Sequence, residues 1–357
     1  MNPIIGITKK HKVIIILSIL FCICLTSGLF LLYGPVPVFR EWLITTAMTT
    51  MNHQYFATWF YSDETIAKVM DKHKVIEVAE ITNPDLIESI KKPIVVEIQE
   101  EKPAFYANEY EKQVLENPNN EDYKIIPITG DTYSGYLAVI YDPSRVKAVT
   151  TKNLGKAGQY LTKMAEDNNA LIAINGGGFD DPNYSGTGGT PLGVTIVNGQ
   201  IKTDYQYTSS TGGVIGFTKD NKLVLGKMSA QKAINMGVRD AVSFGPFLIV
   251  NGKSSFIKGN GGWGQAPRTA IGQRQDGIVL FLVLDGRTIS RPGADMRDLT
   301  EIMENYGAYN AANLDGGTSS VMVVNNEIIN DPVDGSGKHR TRPIATGFIL
   351  APKKEEI

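Results

Sequence analysis

The sequence predicts an α+β fold, with a mixed or antiparallel β-sheet core and flanking helices, preceded by one N-terminal transmembrane helix and a stalk. Three observations predict it. An uncharged apolar run fills Val13 to Tyr33. Short β-rich runs divided by turn dipeptides begin near Ile128 and continue to Pro352. In that part only Lys156–Asp167 and Asp295–Tyr306 carry helical spacing, too few for a regular βαβ repeat.

The apolar run comes first in the chain. As an α-helix its 21 positions rise about 30 Å, the thickness of a bilayer's hydrocarbon core. Lys9, Lys10 and Lys12 precede it, and the first acidic residue, Glu41, follows it. Positive charge on the N-terminal side predicts a single-pass cell-membrane protein with residues 1–12 as a basic cytoplasmic tail and the remainder outside. A cleaved signal peptide has a shorter apolar region and an A-x-A-like site, which is not evident here, so the span Val13–Tyr33 reads as an uncleaved anchor. Cys22 and Cys24 both lie inside the span, so the rest of the chain can make neither a disulfide nor a thiolate site.

Residues 34–127 read as a juxtamembrane segment followed by a stalk or accessory module. Gly34, Pro35 and Pro37 end the helix. Phe39–Tyr61 is apolar and aromatic, which suits either a lipid interface or a helix packed on the following domain. Between Tyr61 and Ile125 acidic residues outnumber basic ones nearly two to one, and Pro93–Ile98 is the single strand-like run.

From 128 to 352 the chain reads as the catalytic domain, with 353–357 as a charged tail. Tyr136–Tyr141 is a strand. Lys156–Asp167 is a helix with Tyr160, Leu161, Met164 and Ala165 on one face. Ala170–Ile174 is a buried strand. Asn198-Gly199, Asn251-Gly252 and Asp276-Gly277, each between apolar runs, predict hairpins. Ile278–Leu284 is a strand, Asp295–Tyr306 a second amphipathic helix, and Ala311–Leu314, Val321–Val324 and Ile344–Leu350 are further strands. A net charge of -2 argues against nucleic acid as the partner.

Polar groups gather at the ends of three strands, where ligands are met in sheet proteins. Asn175, Gly176, Gly177, Gly178, Phe179, Asp180 and Asp181 follow the first, Asp285, Gly286 and Arg287 the second, and Asp315 with Gly316, Gly317, Thr318, Ser319 and Ser320 the third. Glycine there lets a ligand approach the backbone. Asp315 beside a run of hydroxyls suits a sugar or phosphate. Arg268 enters an apolar strand, where it must be paired or ligand-bound, and its planar fork suits a phosphate. His339, Arg340 and Arg342 form a late basic cluster. The chain has no P-loop, no H-E-x-x-H and no G-x-S-x-G, and only three histidines follow the span. Its chemistry therefore rests on carboxylates, arginine, backbone amides and an oxygen-ligated cation if there is one.

These motifs occur together, in order, in a known family. NGGGF at 175–179, PRTAIG at 267–272, a strand ending in Asp285-Gly286, a helix and NLDGGTSS at 313–320 make the chain resemble the phosphodiester glycosidases, which include the animal uncovering enzyme. The likeness covers about Ile128 to Pro352, and the anchor and stalk are similar to those of Gram-positive relatives. It implies hydrolysis between a sugar's anomeric carbon and a phosphodiester phosphate, on cell-surface or exopolysaccharide glycans. Asp315, Asp285 and Arg268 are then the expected catalytic residues, with Arg268 on the phosphate and Asp315 facing the anomeric carbon. Asn175, Ser319, Arg342 and the backbone of Gly176, Gly177, Gly316 and Gly317 are expected to bind substrate. No metal ligand set and no cofactor is implied, and a divalent cation such as calcium stays open. A metal-dependent phosphodiesterase and a non-catalytic wall-glycan-binding protein are the competing classes.

Overall fold

The computed structural model describes residues 9–50, 53–88, 106–116, 122–181, 188–205 and 212–353. The chain divides into two compact units, one of Met1–His73 with Gly262–Gly264 and one of Lys74–Gly261 with Gln265–Ile357.

The smaller unit is helical. Its first helix, Lys9–Tyr33, contains 23 residues, His11–Tyr33, that are long and apolar enough to cross a membrane. Pro37–Met48, Tyr55–Thr58 and Asp63–Lys72 follow. The last begins at Ser62, whose side chain caps the Thr65 N–H. These helices enclose Ile44, Ala47, Ala57, Tyr61, Ile66 and Val69. Tyr33 Oη donates to the Phe60 carbonyl and Tyr61 Oη to the Leu32 carbonyl, each at 3.0 Å, fastening the aromatic stretch to the end of the long helix.

The larger unit is built on three large sheets, with two further two-stranded ones, and every strand pairing among the described residues is antiparallel. The seven-stranded sheet runs, edge to edge, 253–254, Phe247–Val250, Ala308–Leu314, Arg268–Arg274, Val279–Leu284, Ser134–Ile140 and Tyr123–Thr129. The second sheet runs 327–328, Met322–Val324, Ile172–Asn175, Thr346–Leu350 and Val146–Thr150. The third runs Leu223–Gly226, Gly213–Thr218, Val238–Phe244, Val194–Val197 and Gln200–Asp204. The unit thus takes in residues well before Ile128, and the sheet containing Ile128 starts at Tyr123. The strand expected at Pro93–Ile98 lies outside the described residues.

The three inner faces share one core. Phe348 of the second sheet stands edge-on to Phe217 of the third at 6.2 Å and tilts against Phe281 of the first at 6.5 Å, all fully buried. Val279–Leu284 is buried along its whole length, so it reads as an unbroken apolar run. Helix Met296–Asn305 covers the large sheet with Leu299, Ile302 and Met303, and Asp295 and Asp298 close its start as a capping box. Asn198-Gly199 and Asn251-Gly252 turn their hairpins with both residues at positive φ, as that dipeptide favours. The helix expected over Lys156–Asp167 is shorter, Leu161–Asp167, because Gln159 instead exchanges two backbone hydrogen bonds with Ile344.

Candidate active site

Antiparallel register gathers the chemistry at one end of the large sheet. Arg268 opens its strand opposite Leu284, and Thr269 pairs with Leu314 on the other side. The segments that follow Leu284 and Leu314, beginning with Asp285 and Asp315, therefore leave the sheet beside Arg268. The second sheet brings Asn175, the last residue of its own strand, to the same end.

Asn175 is a tie between sheets. It is 1 % exposed. Its Nδ2 donates to the Asp315 carbonyl at 2.5 Å, and its Oδ1 accepts from Thr269 Oγ1 at 2.7 Å and from the Val321 N–H at 3.3 Å. A side chain so occupied and buried positions the Asp315 loop and leaves little for a sugar hydroxyl, the role expected from sequence.

The glycines act by absence. The Gly176 N–H donates to the Thr346 carbonyl, Gly177 to Thr346 Oγ1, Gly316 to Asp315 Oδ1 and Gly317 to the Pro267 carbonyl. All four amides expected to meet substrate are thus engaged inside the fold. What these residues supply is room: a Cβ on Gly176 would lie 2.6 Å from Thr346 Oγ1, and one on Gly317 would lie 2.7 Å from Arg287 Nη2. Gly317 also has φ +65, a conformation side chains disfavour.

Around that loop stand three guanidinium groups. Arg342 donates from Nε to Ser319 Oγ at 2.8 Å and from Nη2 to Asp315 Oδ2 at 3.1 Å, and its Cζ lies 4.7 Å from the centre of the Phe179 ring. Carboxylate, hydroxyl and aromatic face together fix its plane. Arg287 donates from Nη1 to Thr318 Oγ1 at 2.8 Å and to the Val333 carbonyl at 3.0 Å. Arg268 lies beneath the loop, 4 % exposed, with Nε on the Ala294 carbonyl at 3.1 Å. Burial pulls its pKa down to about 10, while the carboxylates of Asp295, Asp298 and Asp315 favour its charge. Its depth suits support of the loop better than direct grip on a ligand. Asp315, Thr318, Arg287 and Arg342 are the partly exposed members.

Asp285 stands apart from this cluster. Its Oδ1 accepts from Asn330 Nδ2 at 2.8 Å and from the Asp331 N–H at 3.0 Å, and burial pushes its carboxyl pKa up. It lines an open cleft of about 310 Å³ with Ser134, Tyr136, Asn330 and Asp331. Among the described residues it makes no bond to Arg268, Arg287 or Arg342. Of the late basic cluster only Arg342 reaches Asp315; His339 pairs with Asp331 at 2.6 Å and Arg340 pairs with Asp334. Among the described residues no group of three or more His, Cys, Asp or Glu is placed to hold a metal ion.

Arg287, Thr318 and Phe179 lie in the three segments that the sequence marks, which assigns none of them a role of its own. Arg287 directly follows the Asp285-Gly286 pair, so a cation at a strand exit was the available signal.

The family model for phosphodiester glycosidase matches residues 168–351, which include every residue of the Asp315 loop and all three arginines. The chain belongs to the phosphodiester glycosidase family. The chain is 30% identical to the SPbeta prophage-derived protein YomE of Bacillus subtilis over 49% of its own length and 27% of the relative's. It is 27% identical to mouse N-acetylglucosamine-1-phosphodiester alpha-N-acetylglucosaminidase over 57% of its own length and 42% of the relative's. The chain therefore spans less than half the length of these curated relatives. The catalytic domain of the zebrafish N-acetylglucosamine-1-phosphodiester alpha-N-acetylglucosaminidase shares its fold, with a TM-score of 0.53 at 24% identity over 65% of this chain and 83% of that one.

Proposed function

We propose that this glycosidase hydrolyses the bond between a sugar's anomeric carbon and a phosphodiester oxygen, on glycans outside the cell membrane. One observation carries the reading: a partly exposed carboxylate, Asp315, sits on a glycine-rich loop ringed by Arg268, Arg287 and Arg342. In the reaction the C1–O bond breaks, water supplies the hydroxyl that replaces it, and the phosphate leaves as a monoester. A phosphate is a good leaving group, so the site needs anion binding and a carboxylate against the oxocarbenium-like transition state more than a strong general acid. Asp315 faces the anomeric carbon and Arg342 holds it there. Thr318 is placed for a sugar or phosphate oxygen. Asp285, in its own cleft, is the candidate to anchor a further part of the substrate.

The outward location rests on the helix Lys9–Tyr33 and on Lys9, Lys10 and Lys12 at its start. The mouse relative is named for N-acetylglucosamine-1-phosphodiester, and that linkage is the first substrate to try. The test is hydrolysis of sugar-1-phosphodiesters by the full chain in water enriched in oxygen-18. Label in the released sugar supports the proposal. Label in phosphate, lost on addition of EDTA, replaces it with a metal-dependent phosphodiesterase. Tight binding of every glycan offered, with no product, replaces it with a binding protein.

A further inference from the structure

Among the described residues Arg287 is a cation without a counter-ion. Its Nη1 donates only to neutral oxygens, those of Thr318 and Val333. Among the described residues no carboxylate comes within ion-pair distance of it, and its Nε and Nη2 have no acceptor. The two carboxylates whose field it feels, Asp315 and Asp334, already pair with Arg342 and Arg340. Its neighbouring cation, Arg342, repels it. A guanidinium withdrawn partly from water needs a negative partner to offset its desolvation.

The backbone points the same way. Arg287 has φ +65, uncommon for a residue with a side chain, and its N–H is held by the Pro292 carbonyl at 3.0 Å. Such a conformation persists where the surroundings impose it, and strained residues cluster at active sites and ligand clamps. Across the gap, Gly317 omits the Cβ that would sit 2.7 Å from Nη2. The fold thus holds a strained cation against a position kept empty by glycine, with two donors of a planar fork unused. Arg268 has no such freedom, being 4 % exposed with Nε on a carbonyl.

We infer that Arg287 is the principal phosphate ligand of this site, its Nε and Nη2 receiving two non-bridging oxygens of the phosphodiester beside Gly317. A planar two-donor fork matches that pair of oxygens. The inference rests on the sugar-phosphodiester reading for the identity of the substrate. It separates two tasks: Arg342 fixes the carboxylate, and Arg287 answers the charge of the leaving group.

The experiment uses the full chain in detergent, with inorganic phosphate as a probe and a sugar-1-phosphodiester as substrate, on the wild type, Arg287→Gln and Arg287→Lys. Phosphate is expected to raise the wild-type Tm and to compete with substrate. In Arg287→Gln the phosphate affinity is expected to fall, and KM to rise, by about tenfold or more, as for loss of a charge-assisted pair. The Tm rise on adding phosphate disappears with them. Arg287→Lys keeps the charge and loses the fork, so it falls between the two. Wild-type phosphate affinity and KM in the Gln variant overturn the inference and leave the glycosidase reading intact. If the Gln variant does not fold, undiminished affinity and KM in the Lys variant overturn it. Phosphate binding that depends on Arg287, in a wild type that hydrolyses no sugar-1-phosphodiester, sinks the glycosidase reading instead.

Discussion

Gly317 and Arg287 occupy one space: a Cβ added to the glycine would lie 2.7 Å from Nη2 of the arginine, and both residues hold φ at +65. The loop after Leu314 and the turn after Leu284 are therefore fitted to each other, although 30 positions separate the two residues.

Gly317→Ala is expected to disturb this fit twice. The left-handed backbone costs an alanine about 1–2 kcal/mol, and Arg287 must move to clear the new methyl. Stability should fall by that amount in urea titration, and KM for a sugar-1-phosphodiester should rise. An alanine variant with wild-type KM would show that the contact is without consequence for substrate.

Asp315→Asn tests the carboxylate. Asparagine keeps an acceptor for the Gly316 N–H or for Arg342, so the loop should stay folded. The charge proposed to face the anomeric carbon is lost. Turnover is expected to drop by about 10² to 10⁴, the range for removing a catalytic acid, base or charge stabiliser, with a smaller change in KM. A variant with near wild-type kcat would remove Asp315 from the mechanism.

How much of this was visible beforehand depended on distance along the chain. The Asn198-Gly199 and Asn251-Gly252 hairpins were legible because the turn is encoded in two adjacent residues, both of which take positive φ. The helix Met296–Asn305 was legible from its periodicity. The start of Leu161–Asp167 was not, because a pairing of Gln159 with Ile344, far away in sequence, overrides local helical spacing. The site divided the same way. Asp315 and Arg268 could be picked as residue types at strand ends, and Arg342 from the late basic cluster. That Asn175 would be used up in joining Thr269 to Asp315 depends on two sheets meeting, and no local pattern records it. Arg287 stands in a segment that the sequence marks, but its role was illegible for a like reason, since that role lies in the glycine opposite.

Asn175→Ala should therefore be a stability mutation first. It strands the Asp315 carbonyl, the Thr269 hydroxyl and the Val321 N–H in a site only 1 % exposed. A loss of about 2–4 kcal/mol is expected, read from chemical denaturation, with kcat falling because the Asp315 loop is no longer held. Unchanged stability with a raised KM alone would return Asn175 to the role of direct sugar ligand.

The long N-terminal helix makes a prediction about fractionation. If Lys9–Tyr33 spans the bilayer, the full chain should remain with membranes through an alkaline wash and be released by detergent, and external protease should reach the larger unit in intact cells. A mature chain whose N-terminus lies beyond Tyr33 would show instead that the segment is a signal sequence.

Asp298 offers a pH-dependent test of the ground beneath Arg268. Burial, with Asp295 and Glu301 nearby, raises its carboxyl pKa from 3.8 to about 6. Between those values the folded chain keeps a proton that the unfolded chain has released. Stability therefore falls as pH rises from about 4 to about 6 and does not return above it. The side chain is partly exposed, so screening reduces the effect to on the order of 1 kcal/mol. Asp298→Asn retains an acceptor for the Asp295 N–H, which lies 2.8 Å from the present carboxylate, and carries no charge at any pH. The variant should match the wild type near pH 4 and exceed it near pH 8, with the difference opening between. Parallel stability curves for the two proteins across that range would mean that Asp298 ionises as freely in the fold as in the open chain.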